Sequence, residues 1–265
     1  MRAQRTRVRD FPHKKSNFEI LSLAEENFFF FRRKLNGMKK NFLCAGLCIL
    51  LAALLFLYES GSRPARAVFS VAETNKTVYL TFDDGPSDSS TPKVLDILKK
   101  ENVKATFFVI GCQIPLRTGI IKRIKDEGHA LGLHSYSHDY KEIYASREAL
   151  LKDIEKCACA VEEVTGYAPS LYRFPGGSFT VDKELIAGVK KAGYHYVDWN
   201  ASCRDAELIS PTAEDLYNAA VSSAGDKNNI ILLMHDSAHR IRTVQALPAI
   251  IRHFKSKNYT FSTLS

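Results

Sequence analysis

Val78-Tyr79-Leu80-Thr81-Phe82-Asp83-Asp84-Gly85-Pro86-Ser87 is the stretch that decides the fold, because in it an apolar strand runs directly into two adjacent carboxylates. Its first five residues mix β-branched and aromatic side chains, which is typical of a strand, and Gly-Pro ends the run. Neighbouring side chains on a strand point to opposite faces, so Asp83 and Asp84 can serve two different partners. The same residues are also common turn formers. The rest of the chain must therefore decide between a reactive pair and a plain turn.

Short apolar runs and helical patterns alternate about seven times after this strand. Strands are predicted at 78–82, 105–110, 130–134, 171–174, 194–197, 230–234 and 259–262. Helices are predicted at 90–100, 116–127, 147–164, 182–192, 212–223 and 244–257. This alternation indicates a parallel α/β fold. Neither Gly-x-Gly-x-x-Gly nor a phosphate-binding Gly-Lys-Ser/Thr loop occurs, so a barrel-like closure is favoured over an open nucleotide-binding sheet.

Positive charge is concentrated at the start of the chain. The 265 residues have a formal net charge of +8, and residues 1–66 account for all of it. The remainder is balanced, so the basic composition does not indicate a nucleic-acid partner.

An uncharged apolar run covers residues 42–58. Its length lies between a membrane span of roughly 17 to 25 residues and a secretory apolar region of roughly 7 to 15. The lysines before it predict that the following chain is exported, either anchored at the extracellular face of the cell membrane or secreted. The predicted organisation is a basic leader at 1–41, with 1–37 as a candidate upstream extension, then a transmembrane or signal segment at 42–58, a linker at 59–75 and a folded domain at 76–265.

Six cysteines do not indicate a disulfide framework in a chain of this size. They do not indicate a cysteine-ligated metal either, because no Cys-x-x-Cys spacing occurs. Cys157 and Cys159 lie in a helical pattern and are expected to pack as small apolar residues. Cys112 and Cys203 could pair in an oxidising compartment, and the sequence leaves that question open.

Polar clusters follow five of the predicted strands. They are Asp83-Asp84, His134-Ser135-Tyr136-Ser137-His138, Arg173-Phe174-Pro175-Gly176-Gly177, Asp198-Trp199-Asn200 and His235-Asp236. The carboxyl ends of the strands in a parallel barrel lie on one face, where functional groups collect. Five clusters at these ends indicate an active site.

Two histidines with a nearby carboxylate suit a divalent metal, because they fill three positions and leave a fourth for water or substrate. A single histidine is more often an ordinary core or surface residue. The metal interpretation therefore depends on Asp84, His134 and His138 acting together. Zinc is the first choice for such nitrogen and oxygen ligands, and cobalt, nickel and iron stay open.

The chain resembles a known family in these motifs. Thr-Phe-Asp-Asp-Gly-Pro, His-Ser-x-x-His, Arg-x-Pro-x-Gly, Asp-Trp and Leu-x-His occur in order between about residues 76 and 264. This set is similar to that of the polysaccharide deacetylases of the NodB-homology type, carbohydrate esterase family 4. The resemblance implies a distorted (β/α)7 barrel with a metal site that removes N-acetyl, sometimes O-acetyl, groups from polysaccharides.

The resemblance also implies a role for each matching residue. The implied metal ligands are Asp84, His134 and His138. The implied catalytic groups are the general base Asp83, its partner Arg173, the general acid His235, and Asp198, which would orient that histidine. The implied substrate contacts are the Gly176 N–H, Trp199 and Leu233. Two features depart from the family: Gly176 stands where an aromatic residue is common, and the stretch after Trp199 is unusual, so Asp205 could share the role of Asp198.

We expect the substrate to be the cell's own wall, most simply N-acetylglucosamine of peptidoglycan, because a surface anchor precedes a charge-neutral domain. Chitin-like oligomers and acetylated xylan are the nearest alternatives. A glycosidase would also use paired carboxylates, but it would leave His134, His138 and His235 without a role. A non-catalytic sugar-binding module would not need Asp83 or His235.

Overall fold

The computed structural model of the protein describes residues 76–265. The regions expected at 1–41, 42–58 and 59–75 lie outside the described residues, and their roles stay predictions. Within 76–265, no helix has both the length and the apolar character needed to cross a membrane.

Strands and helices alternate along the described chain. The strands are β1 (Thr77–Gly85), β2 (Thr106–Ile110), β3 (Ala130–Ser135), β4 (Leu171–Tyr172), β5 (His195–Tyr196), β6 (Ala201–Ser202), β7 (Asn229–His235) and β8 (Thr260–Phe261). The helices are α1 (Thr91–Glu101), α2 (Thr118–Asp126), α3 (Tyr140–Ile143), α4 (Arg147–Thr165), α5 (Lys183–Lys191), α6 (Ala213–Ala224) and α7 (Ile241–Ser256). Single turns of 3-10 helix lie at Gly111–Gln113 and Ser178–Thr180. Every predicted strand and helix has a counterpart with slightly different ends.

The strand pairs of the described region are all parallel. Their order is β5-β4-β3-β2-β1-β7-β6, and β8 pairs with the start of β1. β5 and β6 form the two edges and are not paired with each other, so the barrel is incomplete. The predicted distorted parallel barrel is thereby confirmed. Because the strands are parallel, the polar clusters that follow β1, β3, β4, β5 and β7 lie at the same edge of the sheet.

β1 lies at the centre of the sheet, between β2 and β7. Its fully buried apolar side chains are Val78, Leu80 and Phe82. Thr81 is buried as well, and its hydroxyl donates to the carbonyl oxygen of Leu232 at 2.8 Å. Burial on both faces is usual for a parallel sheet covered by helices. It fixes the register of the strand that carries Asp83 and Asp84.

Two short elements were not predicted. Helix α3 has four residues and strand β6 has two, so neither is long enough to show a periodic pattern. Both lie beside the polar clusters, and both position residues of the candidate site.

The structure answers the two questions that the sequence raised about the cysteines, which are pairing and burial. Cys112 and Cys203 both carry free thiols, the first exposed and the second buried, so the disulfide left open by the sequence is not formed. Cys157 is buried in the core as expected. The same expectation is wrong for Cys159, which is exposed.

Candidate active site

Three candidate metal ligands come together at the carboxyl ends of β1 and β3. Asp84 belongs to β1, His134 to β3, and His138 to the turn after β3. Oδ1 of Asp84 lies 3.4 Å from Nε2 of His134 and 3.3 Å from Nε2 of His138. One ligand atom of each residue lies within 4.8 Å of the other two. The fold therefore places all three proposed ligands close enough to contact a common ion.

Hydrogen bonding leaves these ligand atoms available. Nδ1 of His134 lies 3.0 Å from the carbonyl oxygen of Arg173, which can only accept, so Nδ1 carries the proton and Nε2 keeps its lone pair. Oδ1 of Asp84 is buried and has no hydrogen-bond partner among the described residues. A buried carboxylate oxygen is costly when it is left unpaired. A divalent cation would satisfy this oxygen, and the donor set is one that zinc accepts.

The protonation states also suit metal binding. Burial by itself raises the pKa of Asp84, but the nearby imidazoles, His134 first, outweigh burial and hold that pKa well below its ordinary value. Burial lowers the pKa of His138. Near neutral pH, Asp84 is therefore ionised and His138 neutral, which are the forms in which these side chains bind metals.

Asp83 is paired with a buried arginine. Its Oδ1 accepts a hydrogen bond of 2.9 Å from Nη1 of Arg173, which also donates to the Thr81 hydroxyl at 2.8 Å. The guanidinium of Arg173 packs over the ring of Phe108, 4.1 Å from its centroid. The other oxygen of Asp83, Oδ2, lies 3.9 Å from Nε2 of His134. Asp83 is thus an oriented carboxylate beside the three candidate ligands.

His235 ends β7 and is paired with Asp205. Nδ1 of His235 lies 2.7 Å from Oδ1 of Asp205, whose Oδ2 accepts from the backbone N–H of His235 and from the hydroxyl of Thr243. Burial alone would lower the pKa of His235, but the hydrogen bond and charge of Asp205 raise it to about 9. His235 is therefore protonated at neutral pH, and its Nε2 is free to donate.

The structure corrects the interpretation of Asp198. Its carboxylate accepts hydrogen bonds from the backbone N–H and the hydroxyl of Ser178, not from His235. The physical reason is the unpredicted strand β6, which pairs with β7 and places the loop that carries Asp205 next to His235. Asp198 instead ties together the loops after β4 and β5. The tandem pair Asp198-Trp199 was the more familiar signal in the sequence, and Asp205 had only its position after a short strand to mark it.

Asp153 of α4 is a supporting residue that the sequence analysis missed. Its carboxylate accepts hydrogen bonds from the Ser135 hydroxyl at 2.6 Å and from the backbone N–H groups of Tyr136 and Ser137 at 2.8 and 3.0 Å. The Ser135 oxygen in turn accepts from the N–H of His138 at 2.8 Å. Ser135 and His138 have φ angles of 145° and 57°, so their backbone needs such support.

Asp236 is a buried carboxyl that packs against the end of β1, and its backbone N–H donates to the carbonyl oxygen of Asp83 at 3.1 Å. Its Oδ2 accepts a hydrogen bond of 2.6 Å from the Thr91 hydroxyl, and burial raises its pKa to about 7. A Cβ at position 85 would lie only 2.5 Å from Oδ2 of Asp236. Gly85 is therefore required for the chain to pass over this side chain. This close approach explains the glycine in the opening stretch.

The three proposed substrate contacts lie around these groups. Gly176 is exposed in the turn after β4, with φ of 78°. Trp199 is half-buried and meets Phe179 edge to face, with ring centroids 5.7 Å apart. Leu233 is buried in β7, two residues before His235. Their contact with a substrate stays a prediction.

Comparison with known proteins agrees with this arrangement. A family model described as polysaccharide deacetylase matches residues 70–197. The chain is 37% identical over 196 residues to the putative polysaccharide deacetylase YheN of Bacillus subtilis, a match that covers 72% of this chain and 67% of that protein. The chain belongs to the polysaccharide deacetylase family. It is an enzyme of the class that removes acyl groups from polysaccharides.

Other relatives show the range of the family. The peptidoglycan-N-acetylglucosamine deacetylase PgdA of Listeria monocytogenes is 37% identical over 197 residues, covering 73% of this chain but only 39% of that protein. A bifunctional xylanase/deacetylase of Pseudobutyrivibrio xylanivorans is 34% identical over 228 residues, 84% of this chain and 35% of that protein. Among solved structures, a carbohydrate esterase family 4 enzyme of Streptococcus mutans superposes with a TM-score of 0.68 at 34% identity, covering 72% of this chain and 87% of the other.

Proposed function

We propose that the protein is a metal-dependent N-deacetylase that releases acetate from N-acetylglucosamine of peptidoglycan. The observation that carries the proposal is the convergence of Asp84, His134 and His138, whose ligand atoms lie within 4.8 Å of one another. A paired carboxylate, Asp83, and a protonated imidazole, His235, lie in the same cluster of strand ends. Hydrolysis of an amide needs these two groups, a base and an acid, in addition to an electrophile.

Zinc, or cobalt, nickel or iron in its place, would polarise the acetyl carbonyl and make the attacking water more acidic. Asp83 then accepts the proton of that water, while Arg173 keeps the carboxylate oriented. The N–H of Gly176 donates to the oxygen on which negative charge develops. His235 donates its proton to the departing sugar amine, and Asp205 stabilises the imidazolium until it does so. Acetate and a free amino sugar result.

Peptidoglycan is supported as the substrate by two observations. Relatives with this domain are named peptidoglycan-N-acetylglucosamine deacetylases. The apolar segment at 42–58, preceded by lysines, would deliver the domain to the outer face of the cell membrane or beyond it, where peptidoglycan lies. Removal of the acetyl groups would expose amines and hinder muramidase-type enzymes.

Acetylated xylan is a second candidate, because a relative of similar identity is a bifunctional xylanase/deacetylase. The two substrates differ in the bond broken, an amide in peptidoglycan and an ester in xylan. Side-by-side measurement of acetate release from peptidoglycan, N-acetylglucosamine oligomers and acetylated xylan distinguishes them. We expect the highest kcat/KM with peptidoglycan. Release from xylan alone would overturn the substrate assignment, and release from none of the three would overturn the function.

A further inference from the structure

Exposed large apolar side chains are concentrated on one end of the described domain. Those exposed in residues 76–265 are Leu116, Tyr140, Tyr167, Phe179, Ile209 and Ile241. Five of them follow the carboxyl ends of strands, on the face that carries the candidate active site, and Tyr167 is the exception. Exposed apolar groups collected around a site are typical of a binding surface.

Tyr140 is a member of this set that contacts one of the candidate metal ligands. Its ring meets the ring of His138 edge to face, with centroids 5.5 Å apart, and 48% of the residue is exposed. On its other side Tyr140 meets the ring of Tyr144, whose hydroxyl donates to the Pro175 carbonyl at 2.8 Å. Tyr140 therefore presents an exposed ring in a position fixed by its neighbours.

Tyr140 also reaches the turn that offers the Gly176 N–H. A Cβ at position 176 would lie 3.1 Å from the Tyr140 ring and 3.2 Å from its hydroxyl oxygen. The space beside the Gly176 backbone is thus filled by a ring from α3 instead of by a side chain of the turn itself. A larger residue at 176 would have to displace Tyr140.

Phe179 lies beside Gly177 in the same way that Tyr140 lies beside Gly176. A Cβ at position 177 would lie 2.8 Å from the Phe179 ring and 2.9 Å from that of Trp199. Phe179 is 69% exposed, and its ring packs edge to face against the ring of Trp199. The two consecutive glycines are therefore flanked by two exposed aromatic rings, Tyr140 from α3 and Phe179 from the same loop as the glycines.

We propose that Tyr140 and Phe179 form an aromatic subsite that binds the pyranose ring of an N-acetylated amino sugar beside the reacting amide. The inference rests on the proposed function and adds to it the residues that hold the sugar. A pyranose ring has apolar C–H faces and a rim of hydroxyl groups. The faces of the two aromatic rings can pack against the apolar C–H faces of the sugar, and the Tyr140 hydroxyl can hydrogen-bond to the hydroxyl groups at its rim.

The single tryptophan of the chain, Trp199, makes a direct binding test practical. Full-length zinc-loaded protein carrying Asp83→Asn, which blocks turnover, is titrated with tetra-N-acetylglucosamine while Trp199 fluorescence is followed. Tyr140→Ala and Phe179→Ala should each weaken binding roughly tenfold, as expected for loss of an aromatic contact in an interface. Tyr140→Phe keeps the ring and should stay within about threefold. Tyr167→Ala, an exposed tyrosine far from this face, should bind as well as the parent.

Steady-state kinetics in the otherwise unaltered protein separate the subsite from the reaction. Tyr140→Ala should raise KM roughly tenfold and change kcat much less. Zinc affinity, measured by competition with a chelator, should be unchanged. Equal binding by the parent and both alanine variants would overturn the subsite, as would a loss of zinc affinity that matches the loss of sugar binding, because Tyr140 would then only support His138. An unaltered protein that releases no acetate would overturn the proposed function instead, while the fluorescence titration would still test the subsite.

Discussion

Asp83 and Asp84 are neighbours in the chain and have different partners in the structure. Asp83 is paired with the guanidinium of Arg173 at 2.9 Å, and Asp84 faces His134 and His138 at 3.4 and 3.3 Å. The strand is irregular at this point, with a register shift between Asp83 and Gly85 and a φ of 72° at Asp84, and this local geometry gives the two carboxylates different partners. One carboxylate is oriented by an arginine, and the other has a buried oxygen without a hydrogen-bond partner among the described residues, which a divalent cation would satisfy.

The division predicts different results for two substitutions. Asp83→Asn should abolish acetate release and leave bound zinc near one equivalent per chain, because the substitution removes the base and spares the ligands. His134→Ala should lower both activity and zinc content. Metal analysis by mass spectrometry and an acetate assay on the same preparations measure the two effects. Substantial turnover by Asp83→Asn would show that another group accepts the proton.

The pairing of His235 with Asp205 predicts an unusual titration. In the metal-free protein the pKa of His235 should be about 9, and Asp205→Asn should bring it towards about 6.5. A raised folded-state pKa means that the pair stabilises the fold fully below about pH 6.5 and loses this contribution as the pH rises through about 9.

NMR titration of the His235 ring measures this pKa, and Asp198→Asn is the matched control. That substitution removes a charge from the neighbouring loop but no contact with His235, so the pKa of His235 should stay high. A larger fall with Asp198→Asn than with Asp205→Asn would restore the assignment that the sequence first suggested.

Loops and short helices, more than the strands, determine how the reactive groups are arranged. The turn from His134 to His138 has two residues at positive φ, and its shape depends on hydrogen bonds to Asp153 of α4. Groups that orient metal ligands without touching the metal commonly change its affinity by about 10- to 100-fold.

Asp153→Asn should therefore weaken zinc binding about tenfold, because one oxygen becomes an NH2 group that faces hydrogen-bond donors. Glu155→Gln is a suitable control, since Glu155 is an exposed acid on the same helix. Chelator competition gives both affinities without relying on turnover. If the two variants bind zinc alike, the turn does not depend on Asp153.

The difference between long regular elements and short elements or loops explains what the sequence could predict. Long strands and helices with clear apolar periods, such as β1, β7 and α4, were located to within a few residues, and the motifs identified Asp84, His134 and His138 without any structure. The sequence analysis named Asp198 first and Asp205 only as an alternative partner of His235, because the choice between them depends on the two-residue strand β6. Asp153 was missed for a related reason: an acid within an amphipathic helix has no local signal that it accepts hydrogen bonds from a distant turn.

For the described domain as a whole, the candidate metal site joins β1 to β3 across the intervening strand β2. A ligand that binds only the folded state stabilises it by about 2.7 kcal/mol at a concentration of 100 times Kd. For a domain of this size that corresponds to a rise in Tm of roughly 5 to 10 °C. Calorimetry of the chelated protein with and without zinc should show this rise, and Asp84→Asn should remove it. An equal rise in Asp84→Asn would place the zinc elsewhere.

Dependence of the hydrolysis on a bound cation is tested most directly by acetate release from peptidoglycan before and after metal removal. The protein is treated with a chelator, its metal content is measured, and zinc is returned in steps. The proposed site predicts that the chelated protein is inactive and that activity recovers in proportion to occupancy, reaching its maximum at one zinc per chain. Full activity in protein shown to contain no metal would contradict it.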